Sequence, residues 1–133
     1  MALSNIFEIA SSAMNAQSQR LNVVASNLAN ADSVAGPNGD AYKARQVVFT
    51  ALDQGDGPAG VAVSDIVQDE KPGKQTYDPG HPFADDKGYV THSNVNIVEE
   101  MVNMISASRS YQNNVEIMNT TQQLMIKTLQ MGQ

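Results

Sequence analysis

The sequence predicts a mainly α protein with a small β element: long N- and C-terminal helices forming a coiled-coil-like pair around a short β-rich, irregular central segment. Three observations predict it. Eight of the nine glycines and all five prolines fall between residues 32 and 94, so the helix-breaking residues are confined to the middle. Both flanking segments space apolar residues by threes and fours, the period of a helix seam. The middle carries short β-branched and alternating runs. The expected division is 1–33 and 94–133 as a terminal helical assembly domain, with 34–93 as the central segment.

In the first segment Phe7, Ala10, Met14, Gln17, Leu21, Val24, Leu28 and Ala31 form the seam. All but Gln17 are apolar. Asn5 is placed to cap the helix, with Glu8 three residues on completing a capping box. Asp32–Gly39, which contains Gly36-Pro37, ends it. A helix over 5–31 would be roughly 40 Å long.

The last segment repeats the design through Ile97, Met101, Met104, Ser108, Tyr111, Val115, Met118, Gln122, Met125 and Leu129. Asn96 followed by Glu99 makes a second capping box, and Gly132 stands where helices commonly close. A helix over 96–131 would span roughly 54 Å.

Between them, Tyr42–Leu52 contains Val47-Val48-Phe49, and Gly60–Gln68 alternates apolar and polar residues. Gln75–Tyr77 is placed to pair back across Lys71-Pro72-Gly73-Lys74, and Asp78–His92, with two prolines and two glycines, reads as irregular.

Composition narrows the function. Fourteen acidic against eight scattered basic residues give a net charge of −6, which disfavours a phosphate backbone, so no nucleic-acid partner is expected. The absence of cysteine removes disulfides, zinc–thiolate sites and thiol catalysis. Met1-Ala2-Leu3-Ser4-Asn5 does not read as a cleavable secretion signal, and no run approaches the roughly 18 apolar residues of a membrane span. No direct membrane insertion is expected, and these features alone suggest the cytoplasm. Asp78, His81, Asp85, Asp86 and His92 are ligand types for a divalent ion but lack a spacing that aims them at one point. Asp69-Glu70 and Glu99-Glu100 are adjacent, so neither pair faces inward as an acid and a base. No glycine-rich loop opens a helix for phosphate. The reading is a non-enzyme with no catalytic residue, cofactor or metal.

Both helices carry apolar residues beyond one seam. Ile6, Ile9, Ala13, Ala16 and Val23 lie off the first, and Val98, Val102, Ile105, Ile117, Leu124 and Ile126 off the second. A helix apolar on two sides must be covered on two sides, and pairing the helices with each other covers one side of each. The remainder exceeds what a soluble monomer normally exposes. Arg20 and Arg109 lie beside the seams, placed for interchain ion pairs that contribute little when exposed. A cytosolic helical adaptor binding one client through the same stripes is the alternative reading.

The segment Ala16-Gln17-Ser18-Gln19-Arg20-Leu21-Asn22-Val23-Val24-Ala25-Ser26-Asn27-Leu28-Ala29-Asn30-Ala31 resembles the N-terminal signature of flagellar rod and hook proteins, with its Asn-Leu-Ala-Asn core. Asn94–Val102, the stretch Ser108-Arg109-Ser110-Tyr111-Gln112 and the short total length look like the proximal rod members of that family. The resemblance covers 1–33 and 88–133 closely and the middle loosely. Ser33 stands where the family often has Thr, and Ser93 where Pro is expected, which would make the approach to the long helix less rigid.

The resemblance implies a structural subunit of the bacterial flagellar basal-body rod. Such a subunit leaves through the flagellar type III export apparatus without a cleaved signal and polymerises in the periplasm. Its partners would be its own copies and other rod proteins, namely proximal rod, distal rod and rod-base adaptor. The assembly interface would lie on Phe7, Met14, Leu21, Val24, Asn27, Leu28, Asn30, Ile97, Met101, Met104, Tyr111, Val115, Met118, Met125 and Leu129. The family also implies that Asn27 and Asn30 end the first helix, where their amides can bond backbone groups left free.

Overall fold

A computed structural model describes residues 2–36, 39–53, 55, 57 and 59–132. The chain order is α1 (Ala2–Ala29), β1 (Arg45–Leu52), β2 (Gly60–Gln68), β3 (Gln75–Tyr77), β4 (Tyr89–Thr91) and α2 (Ile97–Met131). The protein is therefore mainly α with a small β element. No described helix is long and apolar enough to cross a membrane.

Helix α1 has 28 residues and α2 has 35, roughly 42 and 52 Å of rod. They pair antiparallel within one chain. Asn27 near the end of α1 meets Glu100 near the start of α2, Arg20 meets Asn103, and Leu3 lines the same apolar slot as Met125 and Leu129. Asn5 does not cap α1: the helix begins three residues earlier, so Asn5 lies inside it. Ala2 and Leu3 are good helix formers, and packing of Leu3 beside Met125 and Leu129 extends the helix past the local cap signal. Asn96 does cap α2, accepting the Glu99 backbone N–H at 3.2 Å. Gly132 closes α2 with an N–H to Thr128 O bond of 3.1 Å at φ −81°, without using glycine's left-handed freedom.

Strands β1 and β2 form an antiparallel hairpin, with a bulge where Val48 faces Asp65 and Phe49 faces Val63. The hairpin is fastened to α1 by Ser12, whose hydroxyl donates to Ile9 O at 2.8 Å and accepts Val61 N–H at 3.0 Å. The approach is close enough that a Cβ on Gly60 would fall 2.8 Å from Ser12 Oγ.

Gln75–Tyr77 does not pair back on β2. It pairs with Tyr89–Thr91, inside the stretch expected to be irregular. The turn between them has its own support, which composition conceals: Asp85 Oδ1 accepts the N–H groups of Lys87 and Tyr89, both at 2.9 Å, and Gly88 takes φ +86°. Gly73 is pressed so near His92 O that a Cβ would sit 1.9 Å from it, which lets His92 N–H reach Lys74 O at 2.7 Å.

The segment after α1 runs beside the segment before α2. Val34 bridges His92, Ala35 N–H donates to Thr91 O, and Ser93 bonds Ser33 O through its N–H and Ala31 O through its hydroxyl. Ser93 is buried and tied twice, so it does not loosen the approach to α2. A proline there would lose the N–H bond.

Candidate assembly interface

The helix pair is narrow because its buried seam residues are small. Ala10 and Ala16 on α1 and Ala107 on α2 are buried, which permits close axes. Along α2 the covered and half-covered positions are Glu100, Asn103, Ala107, Ser108, Ser110, Tyr111, Asn114, Val115, Met118, Thr121 and Met125. Several of these are polar. The predicted seam is therefore turned by one position at its first three residues: Ile97, Met101 and Met104 are exposed while Glu100, Asn103 and Ala107 are covered, and Ser108, Tyr111, Val115, Met118 and Met125 further on are half-buried as expected.

The cause of the turn is an amide node at the base of the pair. Asn27 is fully buried and uses all four of its hydrogen-bonding positions. Its Nδ2 donates to Arg45 O at 2.8 Å and to Glu100 Oε2 at 3.1 Å. Its Oδ1 accepts Arg45 N–H at 3.0 Å and the Tyr42 hydroxyl at 2.8 Å. One side chain thus pairs with the Arg45 backbone as a neighbouring strand would and fixes which side of α2 faces inward. Asn30 does what a helix end requires, donating to Ser26 O at 2.8 Å. Asn94, which the sequence reading did not single out as a site residue, is a second such node: it accepts Ala44 N–H at 2.6 Å and donates to Asp69 O and Lys71 O at 2.7 and 2.9 Å. An asparagine between Ser93 and Val95 in a connecting segment carried no signal of those distant partners.

Of the other predicted interface residues, Val24 is buried, and Met14, Leu21, Leu28, Tyr111, Val115, Met118 and Met125 are half-buried. Phe7 and Leu129 are exposed. The apolar residues read as a second face of α2 stand in solvent, with Val98 71%, Val102 60% and Ile105 57% exposed. Ile117, Leu124 and Ile126 are also exposed. The outward side of α2 is apolar at its base, polar from Arg109 to Gln123 apart from Ile117, and apolar again at its tip, where Leu124 and Met131 are 47% and 87% exposed.

Three of the five residues weighed as metal ligands have local duties. Asp85 holds its turn, His81 Nδ1 accepts Phe83 N–H at 3.0 Å, and His92 Nε2 lies 2.9 Å from Thr76 Oγ1. Among the described residues no three histidines or carboxylates converge on a point.

An antiparallel pair of terminal helices with a small β region between them and an uncovered apolar flank defines a subunit shaped for assembly. Residues 7–37 match the family of flagella basal body rod proteins, and residues 86–131 match the C-terminal region of the flagellar basal body rod FlgEFG proteins. The chain is 59% identical over 134 residues to the flagellar basal-body rod protein FlgC of Escherichia coli and 57% identical over 135 residues to that of Salmonella typhimurium, covering all of both chains in each case. It is 53% identical over 133 residues to the FlgC of Buchnera aphidicola from Acyrthosiphon pisum, covering 97% of each. The chain belongs to the flagellar basal-body rod protein family. That family is structural rather than enzymatic, and its place is the flagellar basal body.

Proposed function

We propose that this chain, as a rod subunit, assembles through the outward face of α2, and that residues 1–33 and 94–133 form the assembling unit while 34–93 lies against its flank. The reading rests on the uncovered apolar base of α2, where Ile97, Val98, Met101, Val102 and Ile105 are exposed on one helix end. Covering each such side chain contributes roughly 1.5–3 kcal/mol, so five together supply a substantial share of an interface. The partners are copies of this chain and neighbouring proximal, distal and rod-base proteins. The chain reaches the periplasm through the flagellar export apparatus without a cleaved signal.

The expected interface shifts accordingly. Ile97, Met101, Met104, Leu129 and Phe7 meet other subunits, whereas Val24, Leu28, Met118 and Met125 hold the intrachain pair. The test is a Val98→Asp/Val102→Asp chain expressed in cells lacking the native copy. It should fold and leave the cytoplasm, yet be absent from purified basal bodies, and the cells should not swim. Normal incorporation of that variant would refute the reading.

A further inference from the structure

Strand β1 leaves one long edge open. Arg45 engages Asn27 through both its backbone N–H and its C=O, so these groups point away from β2, the one strand to which β1 is bonded. Opposed residues in an antiparallel ladder alternate between bonded and outward-facing pairs, so Val47 turns its N–H and C=O outward too. From the other end, Val61 N–H leaves β2 for Ser12 Oγ. Its opposite number Ala51, and Phe49 two residues earlier, therefore face outward on β1. The phase holds along the whole strand because the bulge puts its extra residue, Ser64, into β2. Among the described residues nothing bonds the outward groups of Val47, Phe49 and Ala51.

Sheet edges are ordinarily blunted by charge, proline, a bulge or a cover. The outer edge of β2 has three of these, in Asp65, the bulge and Ser12. The run Val47-Val48-Phe49-Thr50-Ala51-Leu52 has neither charge nor proline, and all of it but Val47 is exposed. Beside Val47 and Phe49 an open groove of about 380 Å³, lined also by Arg20, Glu99 and Asn103, leaves room for a further strand. We infer that a second copy of this chain pairs with this edge, β1 against β1, antiparallel about a two-fold axis at Phe49. Val47 of each copy exchanges both backbone bonds with Ala51 of the other, and the two Phe49 residues exchange theirs. Asn27 sets the register. Centred one residue earlier, the pairing would put Ala51 of the second copy in the place Asn27 holds beside Arg45, and centred one residue later it shortens the overlap. The register at Phe49 also brings Asp53 of the second copy opposite Arg45, on the same face. Within the chain neither side chain meets an opposite charge in its recorded contact: Arg45 lies over the Tyr42 ring at 5.9 Å, and Asp53 Oδ1 accepts Gly55 N–H at 3.0 Å. Because both copies present the same edge, the contact is isologous and closes at two chains.

The test uses the full-length protein. Sedimentation equilibrium should give a mass of two chains that does not climb further with concentration. Amide exchange gives the sharper readout: Val47, Phe49 and Ala51 should exchange freely in dilute, monomeric chain and be protected in the dimer, while Gln46 and Val48, bonded to β2, are protected in both. The chain has no cysteine, so F49C should link two chains under mild oxidation and V67C, on β2, should not. A51P removes an outward N–H from each copy and no bond to β2, so it should weaken the dimer about thirtyfold with Gln46 and Val48 still protected. R45D and D53R should each weaken it about threefold to tenfold, and the double exchange should restore it. A monomer throughout, a dimer whose Val47, Phe49 and Ala51 amides stay open, a dimer indifferent to A51P, or a double exchange no tighter than the single ones would overturn the pairing. The edge of β1 and the outward face of α2 are separate surfaces, so none of these results touches the rod reading, which stands or falls on basal-body incorporation of the Val98→Asp/Val102→Asp chain.

Discussion

The amide nitrogen of Asn27 donates to the carboxylate of Glu100 across the helix pair at 3.1 Å, joining the last turn of α1 to the first turn of α2 with both side chains buried. The same amide brackets the Arg45 backbone from both sides. Three elements distant in sequence meet on one side chain, and the rotation of α2 follows from it.

Asn27→Ala removes four hydrogen bonds at once and leaves the Arg45 N–H and C=O and the Glu100 carboxylate with a lost partner. Each buried group so stranded costs about 1–3 kcal/mol. The expected loss in urea unfolding is several kcal/mol, with the hairpin and α2 both loosened. A loss under 1 kcal/mol would show that the node does not hold the fold.

Gly73→Ala places a methyl 1.9 Å from His92 O, against backbone rather than a yielding side chain. The β3–β4 ladder must shift, at about 1–3 kcal/mol or more. Hydrogen exchange should quicken at His92 and Ala35, whose amides bond within this region, while α1 and α2 amides stay protected. Unchanged exchange at His92 would contradict the close approach.

Asn96→Ala deletes the α2 cap. Caps of this kind contribute about 0.5–2 kcal/mol, so thermal unfolding should fall by that amount, and the first-turn amides Ile97 to Glu99 should exchange faster. Asn5→Ala makes the complementary control: Asn5 is inside α1, so its replacement should be neutral or slightly stabilising.

Val102→Asp and Leu21→Asp should part company. Val102 is exposed and Leu21 lies in the helix pair, so the first should change stability by no more than about 0.5 kcal/mol, while the second, which buries an unpaired charge, should cost several. Equal stability of the two chains would mean that α1 and α2 are not paired as described.

The two helices were legible because residues 3–31 and 95–131 contain neither glycine nor proline, and β1 and β2 because their β-branched runs are bounded by turn residues. The rotation of α2 was not. Apolar residues mark two sides of that helix, and a three-four spacing drawn through Ile97, Met101 and Met104 is as regular as the covered one through Glu100, Asn103 and Ala107. Packing selects the side with small and hydrogen-bonded residues, which hydrophobic patterning passes over. The pairing of β3 with β4 escaped for a similar reason, since it depends on Asp85 and on a backbone approach at Gly73. Asn27 was legible as a residue at a helix end, and its bond to a strand 18 positions away was not.

The outward methionines test the central claim directly, because an exposed thioether oxidises and a covered one does not. Met101 and Met131 should form sulfoxides readily in dilute, monomeric chain and be protected in purified basal bodies, whereas Met118 and Met125 should react slowly in both. Met101 and Met131 as reactive in basal bodies as in free chain would mean that no neighbour covers the outward face of α2, and the account would fail.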